Sequence, residues 1–350
     1  MSQKDGVLFI PYAETIDLLS AEEALEISEN VYRMQGEGSI TVSSPPSFKL
    51  DVSEPFHNHW HVKCALLEEI PITGVRLYNY YNDGFRNTVG LLECGRYIIL
   101  ADPHTGRNVA IVEEHWTYAI RSAAATILPL KWMGPKDPKQ IGIVGVGTMA
   151  TNALRCLIKL YPNIEEVRCT SRNPGSRQEF AEEWTKTLGI PVIAKETIQD
   201  TVSEADIGIG ATTSDEVMCR EPWLKSGSTY VSFTRREFDP EGWPKLDKVV
   251  VDSWEMNMLM QHFRHSAEEG LFTREMLHAE IHELVRGKKP GRQASNERNL
   301  IHTTGLVAHD IAMCHYVYEK AKKLGRGIQL PHTGTGRPGP KNLKREKFLT

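Results

Sequence analysis

Apolar and polar positions along the first third of the chain predict one helix followed by a sheet. Over 20–34 the apolar residues fall at helical spacing on one face, and Ser20 and Glu23 stand at the spacing of a capping box. Two closely spaced glycines then end the helical pattern. Over 42–102 short strand-like runs alternate with turn sequences, which is typical of a largely antiparallel sheet.

The pattern changes in the second part of the chain. The segment 114–132 is rich in small residues, which predicts a helix that packs closely against its neighbours. From Ile141 onward, apolar runs of strand length alternate with helical patterns, which predicts a parallel α/β sheet. Its strands are predicted near 140–145, 166–171, 190–194, 206–211, 228–233 and 248–252. The pattern ends near His302, and a further helix is predicted over 305–324.

A glycine-rich turn lies where the first of these strands meets a helix. Gly145 permits the tight turn, and Gly147, which has no Cβ, lets a pyrophosphate approach the backbone at the helix N-terminus. Thr148 and Met149 open the helix, and Ala150 is the third small position. Because the pattern stands between a strand and a helix, we interpret it as a dinucleotide-binding fingerprint rather than an ordinary strand-to-helix turn.

The end of the next strand indicates which dinucleotide is bound. It ends in Ser171-Arg172-Asn173, and no carboxylate occurs between Arg168 and Gln178. An NAD site usually has an acidic residue here for the ribose 2′-hydroxyl, whereas an arginine accommodates a 2′-phosphate. We therefore predict that NADP(H) is favoured over NAD(H). The alternative is that Arg172 only decorates a solvated loop.

Composition limits the class of protein. The 350 residues can hold two ordinary domains, and a net charge of −4 with interspersed acids and bases favours neither nucleic acid nor an anionic membrane as partner. No apolar run approaches membrane-spanning length, and the N-terminus lacks signal-peptide architecture. The six cysteines are scattered without a CxxC pair, which favours reduced thiols in a cytoplasmic protein over disulfides or a zinc site. Cys156 and Cys169 are predicted core residues.

Several motifs together resemble the ornithine cyclodeaminase/μ-crystallin family, over residues 8–330. They are Gly74-Val-Arg76, Asp102-Pro-His-Thr-Gly106, Ala119-Ile-Arg-Ser-Ala-Ala-Ala125, the fingerprint Gly145-Val-Gly-Thr-Met-Ala150 and Gly305-Leu-Val-Ala-His-Asp310. Each motif alone is weak, but the set is specific. The resemblance implies chemistry at the α-carbon of an amino acid or its imine, with hydride exchanged with a nicotinamide.

The same resemblance implies the domain organisation. A Rossmann dinucleotide-binding domain, 126–302, is inserted in an α+β substrate-binding and dimerisation domain made of 1–125 plus 303–330. The fold class is therefore α/β, and the subunit is expected to form a homodimer. The remaining segment, 331–350, is rich in Gly, Pro and Lys without apolar periodicity and is predicted to be extended or disordered.

The resemblance assigns the substrate carboxylate to basic residues. Arg121 matches the family arginine that holds the carboxylate, a task suited to a guanidinium fork. The alternative for Arg121 is an ion pair on a helix surface. Arg76 stands where the family usually has a lysine near the reacting carbon, and an arginine there keeps the charge but cannot titrate near neutral pH. Ser47 occupies a position where many relatives carry a second carboxylate-binding arginine.

The largest departure from the family follows the fifth Rossmann strand. Relatives carry an aspartate in a short loop there, which is the general acid/base of the cyclodeaminase. The segment 231–239 is shorter, and the aspartate falls in the gap. Glu237 and Asp239 are candidate substitutes, although both align beyond the catalytic position. Because loss of a general acid/base costs on the order of 10²–10⁴ in rate, an ornithine cyclodeaminase-like ammonia lyase is disfavoured.

A replacement for that aspartate is predicted in the first domain. His57, His59, His61 and Lys63 alternate, so they share one face of a strand. By alignment with the family, Lys63 falls beside the substrate, and we predict that it supplies charge or proton transfer with His61 or His59. One alternative is a metal bound by the histidines, which is disfavoured because no carboxylates that would orient the ligands accompany them. The other is histidines that are solvated or lie in a dimer interface.

The remaining cofactor contacts are predicted at strand ends. They are Thr212 and Thr213 after the fourth strand, and Val231 and Ser232 at the end of the fifth. By resemblance, Thr303 lines the nicotinamide from the other side. Alternatively, Thr303 or Thr304 is the N-cap of the following helix. Asp310 is interpreted as structural.

These inferences predict an NADPH-dependent oxidoreductase that reduces the C=N bond of an imino acid or oxidises the corresponding amino acid. Arg121 and Arg76 would orient the carboxylate, and Lys63 or a nearby histidine would move the proton. A non-catalytic NADPH-dependent binding protein is the alternative from another class, since the family aspartate is missing. Retention of Arg76 and Arg121 argues against it. A metal-dependent lyase that uses the histidine strand is a third possibility.

Overall fold

The computed structural model describes residues 6–52, 58–81, 95–214, 216–233 and 236–331. Predicted features outside these ranges are His57, Cys94, the pair Thr234 and Arg235, and the tail after Pro331. Within the described ranges, none of the helices combines the length and apolarity required to cross a bilayer.

The strands belong to two sheets, and the helices pack on and between them. In chain order the strands are β1 (Gly6–Ile10), β2 (Ile40–Val42), β3 (Phe48–Val52), β4 (Asn58–Leu67), β5 (Ile72–Tyr81), β6 (Arg96–Ala101), β7 (Asn108–Glu113), β8 (Gln140–Val144), β9 (Glu166–Thr170), β10 (Val192–Ala194), β11 (Ile207–Gly210), β12 (Thr229–Ser232), β13 (Lys248–Val251), β14 (Ala279–Glu280), β15 (Asn299–His302) and β16 (Ile328–Pro331). The α-helices are α1 (Tyr12–Thr15), α2 (Ala21–Glu37), α3 (His115–Ile127), α4 (Leu130–Met133), α5 (Thr148–Leu160), α6 (Pro174–Leu188), α7 (Ile198–Val202), α8 (Trp254–Asn257), α9 (Gln261–Glu268), α10 (Ile281–Val285) and α11 (Val307–Leu324). Short 3₁₀ helices span Ile16–Leu18, Glu221–Trp223 and Pro240–Lys245.

The first sheet has the order β16-β1-β7-β6-β5-β4-β2, with β3 also paired to β4. Strands β4 to β7 are antiparallel neighbours, so the antiparallel sheet predicted over 42–102 is confirmed. In the β4–β5 register, His61 lies opposite Tyr78 and Lys63 lies opposite Arg76. Directly opposite residues point to the same face, so this register places the four side chains on one side of the sheet.

Helix α2 confirms the helix predicted from the apolar pattern. The Ser20 hydroxyl accepts from the Glu23 amide at 3.2 Å, and the Glu23 carboxylate accepts from the Ser20 amide at 2.8 Å. The helix continues past the predicted end and stops at Gly38, which has the left-handed φ of 77°. Gly36 lies inside the helix, where a Cβ would come within 2.5 Å of Arg286 Cδ. The small residue therefore lets α10 approach.

The second sheet is parallel throughout and has the order β10-β9-β8-β11-β12-β15-β13-β14. Strands β8 to β13 confirm the predicted βαβ pattern, whereas β14 and β15 were not predicted, although β15 lies between β12 and β13. The fold class is a mixed α/β structure with a Rossmann-type domain. Strand order reverses between β8 and β11, which opens a crevice at their carboxyl ends. Cys156 and Cys169 are fully buried in this part of the core, as predicted.

Helix α3 lies between the two sheets. Ala119, Ala123, Ala124 and Ala125 are all buried, which lets α2 and α5 pack closely against it. The single helix predicted over 114–132 is wrong in one respect. The hydrogen-bond ladder is interrupted at Pro129, which has no N–H to donate, so α3 ends at Ile127 and α4 begins at Leu130. Leu128 and Pro129 nevertheless keep right-handed helical dihedral angles.

Helix α11 packs against β4, β5 and β6. It covers the face of the first sheet that carries His61, Lys63, Arg76 and Tyr78, which we call the Lys63 face. It begins at Val307 rather than at the predicted Gly305, since Gly305 has the left-handed φ of 85°. Gly74 of β5 has no side chain where Ile311 packs, and a Cβ there would lie 2.9 Å from Ile311 Cγ1. After α11 the chain returns through β16 to pair with β1.

Candidate active site

The glycine turn after β8 is fixed between two neighbouring strands. Gly145 has a φ of 98°, its amide donates to the Thr170 carbonyl at 2.8 Å, and a Cβ on it would lie 2.2 Å from the Ala211 carbonyl oxygen. Only glycine fits this position. Ala150 is fully buried, as close helix–strand packing requires.

The start of α5 is open to solvent. Gly147 is exposed, and a Cβ built on it would meet no atom within 4 Å. The first bond of the helical ladder runs from the Thr151 amide to the Gly147 carbonyl, so the amides of Thr148 and Met149 precede the helical ladder. An open helix N-terminus with free amides fits the pyrophosphate of a dinucleotide.

The loop after β9 presents Arg172 to solvent. The Ser171 hydroxyl donates to the Asn173 carbonyl at 2.9 Å, and the Asn173 side chain accepts from the Ser176 amide as the N-cap of α6. Arg177 donates to the Ser171 carbonyl at 3.0 Å. These bonds fix the loop, and the exposed Arg172 side chain projects from it at the carboxyl end of β9.

Glu237 links the ends of β11 and β12. Its carboxylate accepts from the Thr212 amide at 3.3 Å and lies 3.0 Å from the Ser232 hydroxyl, and the side chain is fully buried. Val231 and Ser232 are also fully buried, whereas Thr213 is exposed. Glu237 therefore joins the two segments in which cofactor contacts are predicted.

Asp239, the other candidate substitute for the family aspartate, makes local bonds. Its side chain caps the 3₁₀ helix that begins at Pro240, accepting from the Glu241 amide at 3.3 Å. The same carboxylate lies 3.5 Å from Arg220 Nη1. These local bonds hold the Asp239 carboxylate at the start of the 3₁₀ helix.

The end of β15 is bonded to both halves of the molecule. The His302 Nδ1 lies 3.0 Å from the Ser232 hydroxyl, and burial, with His262 nearby, lowers the pKa of His302 to about 3, so the ring is neutral. The Thr303 hydroxyl lies 2.6 Å from that of Thr126 in α3. Thr303 therefore bridges the nucleotide-binding sheet and the helix layer.

The prediction that Thr303 or Thr304 caps α11 is wrong. The N-cap position belongs to Leu306, which makes no side-chain cap bond. The Thr304 and Gly305 amides instead donate to the buried Asp252 carboxylate, at 2.9 and 2.6 Å. Both threonine hydroxyls are used in tertiary contacts, because the chain turns sharply here between β15 and α11.

A buried ionic cluster lies under α11. Arg76 Nε lies 2.7 and 2.8 Å from the two Glu114 carboxylate oxygens, and Arg76 Nη1 lies 3.5 Å from Asp310. Arg121 Nε lies 2.5 Å from the same Asp310. All four side chains are buried, so the alternative of a surface ion pair for Arg121 is wrong. Asp310, interpreted as structural, is the counter-ion shared by both arginines.

Aromatic rings separate the guanidinium groups of this cluster. The Cζ atoms of Arg76, Arg96 and Arg121 lie 5.0, 4.5 and 5.3 Å from the centre of the Tyr118 ring. Arg76 also lies 4.2 Å above the Tyr78 ring. Cation–π attraction offsets part of the repulsion between the like charges. Burial raises the pKa of Glu114, against the opposing effect of Arg76.

Lys63 and His61 border this cluster on the same face of the sheet. The His61 ring stacks on Tyr78, with 4.9 Å between ring centres, and its Nδ1 lies 3.4 Å from the Ser47 hydroxyl. His59 lies against His61 at 5.2 Å between ring centres. Among the described residues, no group of three or more His, Cys, Asp or Glu side chains is arranged to hold a metal ion.

The structure thus brings the candidate residues together in two groups. Lys63, His61, Arg76 and Arg121 line the Lys63 face of the first sheet, and the predicted cofactor residues lie at the carboxyl edge of the second. The groups meet at Gly305, where a Cβ would come within 2.6 Å of Arg121 Nη1.

Sequence reasoning missed several members of the site, namely Arg96, Glu114, Tyr118 and Asp252. Two of them are acids in apolar surroundings, directly after the apolar strands β7 and β13. An acidic residue directly after a buried strand is expected to be buried itself, and a buried carboxylate requires a basic or N–H-donating partner. This signal could have found Glu114 and Asp252.

The fingerprint, the parallel sheet and the basic face define a class, the nicotinamide dinucleotide-dependent oxidoreductases. Residues 10–325 match the Ornithine cyclodeaminase/mu-crystallin family, and the chain belongs to that family. Its type is an oxidoreductase acting on imino or amino acids, and its cofactor is a nicotinamide dinucleotide.

Individual relatives are similar over most of the chain. An N-((2S)-2-amino-2-carboxyethyl)-L-glutamate dehydrogenase of Staphylococcus aureus is 29% identical over 235 residues, which cover 67% of this chain and 70% of the relative. The structure of Delta(1)-pyrroline-2-carboxylate reductase from Thermococcus litoralis, in complex with NADH and L-proline, is 29% identical with a TM-score of 0.85, covering 93% of this chain and all of the other. An archaeal alanine dehydrogenase dimer with bound NAD shares the fold, with a TM-score of 0.83 at 24% identity over 93% of this chain and 98% of the other.

Proposed function

We propose that this protein reduces the C=N bond of a 2-imino acid with NADPH, or runs the reverse oxidation of the amino acid. The observation that carries the proposal is the contact between Arg121 and Gly305. It brings a carboxylate-binding side chain to the turn that follows β15, at the edge of the sheet where a dinucleotide binds.

Arg121 is the proposed ligand of the substrate carboxylate. Asp310 engages its Nε at 2.5 Å, which leaves the Nη nitrogens directed toward the turn at Gly305. A guanidinium that is held at one end by a protein carboxylate presents its other edge in a fixed orientation. Arg76, whose Nε binds Glu114, adds a second positive charge on the Lys63 face.

Lys63 or His61 is the proposed proton donor to the substrate nitrogen. Both lie on the face that carries Arg76, and Lys63 is directly opposite Arg76 in the register. A reduced nicotinamide bound at the carboxyl edge of the second sheet would supply the hydride to the imine carbon. Protonation of nitrogen by the protein completes the amine, and the reverse reaction returns this proton to Lys63 or His61.

The cofactor preference is proposed to be NADPH. Support comes from the exposed Arg172 at the end of β9 and from the absence of a carboxylate between Arg168 and Gln178. Arginine can pair with a 2′-phosphate, whereas NAD sites use a carboxylate at this point. The solved relatives hold NADH or NAD, so the two cofactors need direct comparison.

We also propose the domain division 1–125 plus 303–330 around 126–302, and a homodimer. The other face of the first sheet, on the side away from Lys63, exposes large apolar side chains. Their exposed fractions are 60% for Phe48, 54% for Leu50 and 37% each for Trp60 and Val75. A contiguous apolar face of this kind is typical of a subunit interface. A cytoplasmic location is proposed from the free thiols of the five described cysteines.

The test is consumption of NADPH, with NADH in parallel, by the purified protein and a panel of cyclic imino acids and keto-acid/amine mixtures. Δ1-Pyrroline-2-carboxylate belongs in the panel, because the Thermococcus relative is a reductase of that compound. Turnover of any member is expected. Binding of NADPH without turnover of any member would overturn the proposal in favour of a binding protein.

A variant isolates the carboxylate contact. Arg121→Lys keeps the charge but loses the fork, so the KM for the imino acid is expected to rise by about tenfold or more, with little change for NADPH. Arg292→Lys is the matched control, because Arg292 bonds the carbonyls of Met133 and Glu297 away from the cleft. An unchanged KM in Arg121→Lys would refute the role of Arg121.

A further inference from the structure

Asp252 occupies the junction between the two halves of the molecule. It follows β13 and is fully buried. Its Oδ2 accepts from the amides of Thr304 and Gly305, at 2.9 and 2.6 Å, and its Oδ1 accepts from the Ser253 amide at 3.0 Å and from Asn257 Nδ2 at 2.9 Å. One carboxylate thus determines the path of the chain between β15 and α11.

Gly305, which this carboxylate holds, lies against the Arg121 guanidinium. A Cβ on Gly305 would lie 2.6 Å from Arg121 Nη1, 3.6 Å from Cζ and 3.7 Å from Nη2. The Arg121 guanidinium therefore occupies the space that a side chain at position 305 would need. A displacement of this turn by less than an ångström would therefore change the space available to the Nη nitrogens.

Arg121 is restrained from its other side by Asp310, 2.5 Å from Nε. The Arg121 guanidinium is thus held between Asp310 of α11 and the turn at Gly305, which Asp252 fixes. Asp310 determines where Nε lies, and the turn at Gly305 determines how far the Nη nitrogens extend.

We infer that Asp252 is a positioning residue for substrate binding: its carboxylate fixes the turn at Gly305, and the turn orients Arg121 toward the substrate carboxylate. The inference rests on the role of Arg121 proposed above. Asp252 itself contacts neither substrate nor cofactor in this scheme.

The negative charge of Asp252 matters because all its partners are donors. An amide at position 252 has one acceptor oxygen in place of two, so its NH₂ group would face at least one of the N–H donors. Hydrogen bonds to a charged group are stronger than neutral ones, and a buried donor without an acceptor is costly. The turn would shift to relieve the clash.

The Asp252→Asn variant tests the inference in two ways. The KM for Δ1-pyrroline-2-carboxylate, or for whichever panel member is turned over, is expected to rise by about tenfold or more, while the KM for NADPH changes less than about twofold. Amide hydrogen exchange of the 303–306 backbone is expected to become faster.

Gly305→Ala changes the contact between Gly305 and Arg121 directly, without altering Asp252. The added Cβ would push against Arg121 Nη1 and would also strain the left-handed backbone at position 305, while the Asp252 carboxylate stays intact. The substrate KM should therefore rise as in Asp252→Asn. The matched control is Asp206→Asn. Asp206 also accepts from two backbone amides, those of Lys139 and Gln140, but it lies at the opposite edge of the same sheet.

The inference fails if Asp252→Asn and Gly305→Ala both keep the substrate KM, or if they raise the two KM values together, as a general loss of structure would. It also fails if a crystal structure of Asp252→Asn shows Arg121 unmoved, which needs no activity. Absence of turnover in the wild-type protein would instead refute the proposed function, so the two failures are distinguishable.

Discussion

Arg76 and Glu114 form a buried ion pair in which one nitrogen, Arg76 Nε, lies within 2.8 Å of both carboxylate oxygens. The two residues come from β5 and from the start of α3, so their bond joins the sheet to the helix that carries Arg121. The pair therefore stabilises the frame in which Arg121 is held.

Glu114→Gln is expected to lower the free energy of unfolding by about 3 kcal/mol, since it removes the negative charge nearest to the buried Arg76 and leaves the more distant Asp310 to balance two arginines. Urea unfolding measures the change. Glu166→Gln is the control, because Glu166 pairs with Arg168 at the same 2.7 Å but is partly exposed, and about 1 kcal/mol or less is expected there. Equal losses in the two variants would contradict the assignment.

Mutation can distinguish whether Lys63 or His61 donates the proton. If Lys63 donates the proton, Lys63→Met lowers kcat by about 10²–10⁴-fold while the affinity for NADPH stays the same, and His61→Gln changes kcat little. If His61 is the donor, the pattern reverses. Lys323→Met is the control, because Lys323 is exposed in the last turn of α11. A kcat near the wild-type value in both variants would show that neither residue moves the proton.

Arg172→Asp is expected to reverse the cofactor preference. A carboxylate at this position repels a 2′-phosphate and accepts from a ribose hydroxyl, so the KM for NADPH should rise by about tenfold or more and the KM for NADH should fall. Lys186→Asp makes the same charge change at an exposed position of α6. A similar rise for NADPH in both variants would mean that only net charge matters.

Much of the fold follows from local patterns, and much of the site does not. The helix after Ser20 and the parallel strands were predictable because apolar period and caps are local signals. The pairing of Asp310 with Arg76 and Arg121 was not, since Asp310 reaches them from a helix near the other end of the chain. Thr303 resembled an N-cap in sequence, yet its hydroxyl bonds Thr126, a contact that only the packed structure creates.

Two buried histidines predict acid sensitivity. Burial lowers the pKa of both His302 and His309 to about 3, so each stays neutral in the folded protein while it protonates near pH 6.5 in the unfolded chain. Their contribution to stability is complete above pH 6.5 and is lost progressively as the pH falls toward 3, at up to about 1.4 kcal/mol per pH unit for each histidine.

Urea unfolding between pH 6.5 and 5 measures this dependence, in a range where most carboxylates remain ionised. His309→Gln removes one titrating group, and the slope of unfolding free energy against pH should become shallower by about 1.4 kcal/mol per unit. His265→Gln is the control, because His265 is exposed on α9. A slope that is unchanged in His309→Gln would contradict the assignment.

The bond between Thr126 and Thr303, with 2.6 Å between hydroxyl oxygens, means that the chain leaves α3 and re-enters α11 at nearly the same point. An exchange of the whole intervening segment by recombination would therefore keep its two ends joined, provided that the incoming segment also supplies an acid at position 252, whose carboxylate holds the turn at Gly305. Cofactor choice is open to drift in evolution independently of substrate choice as long as that acid is kept.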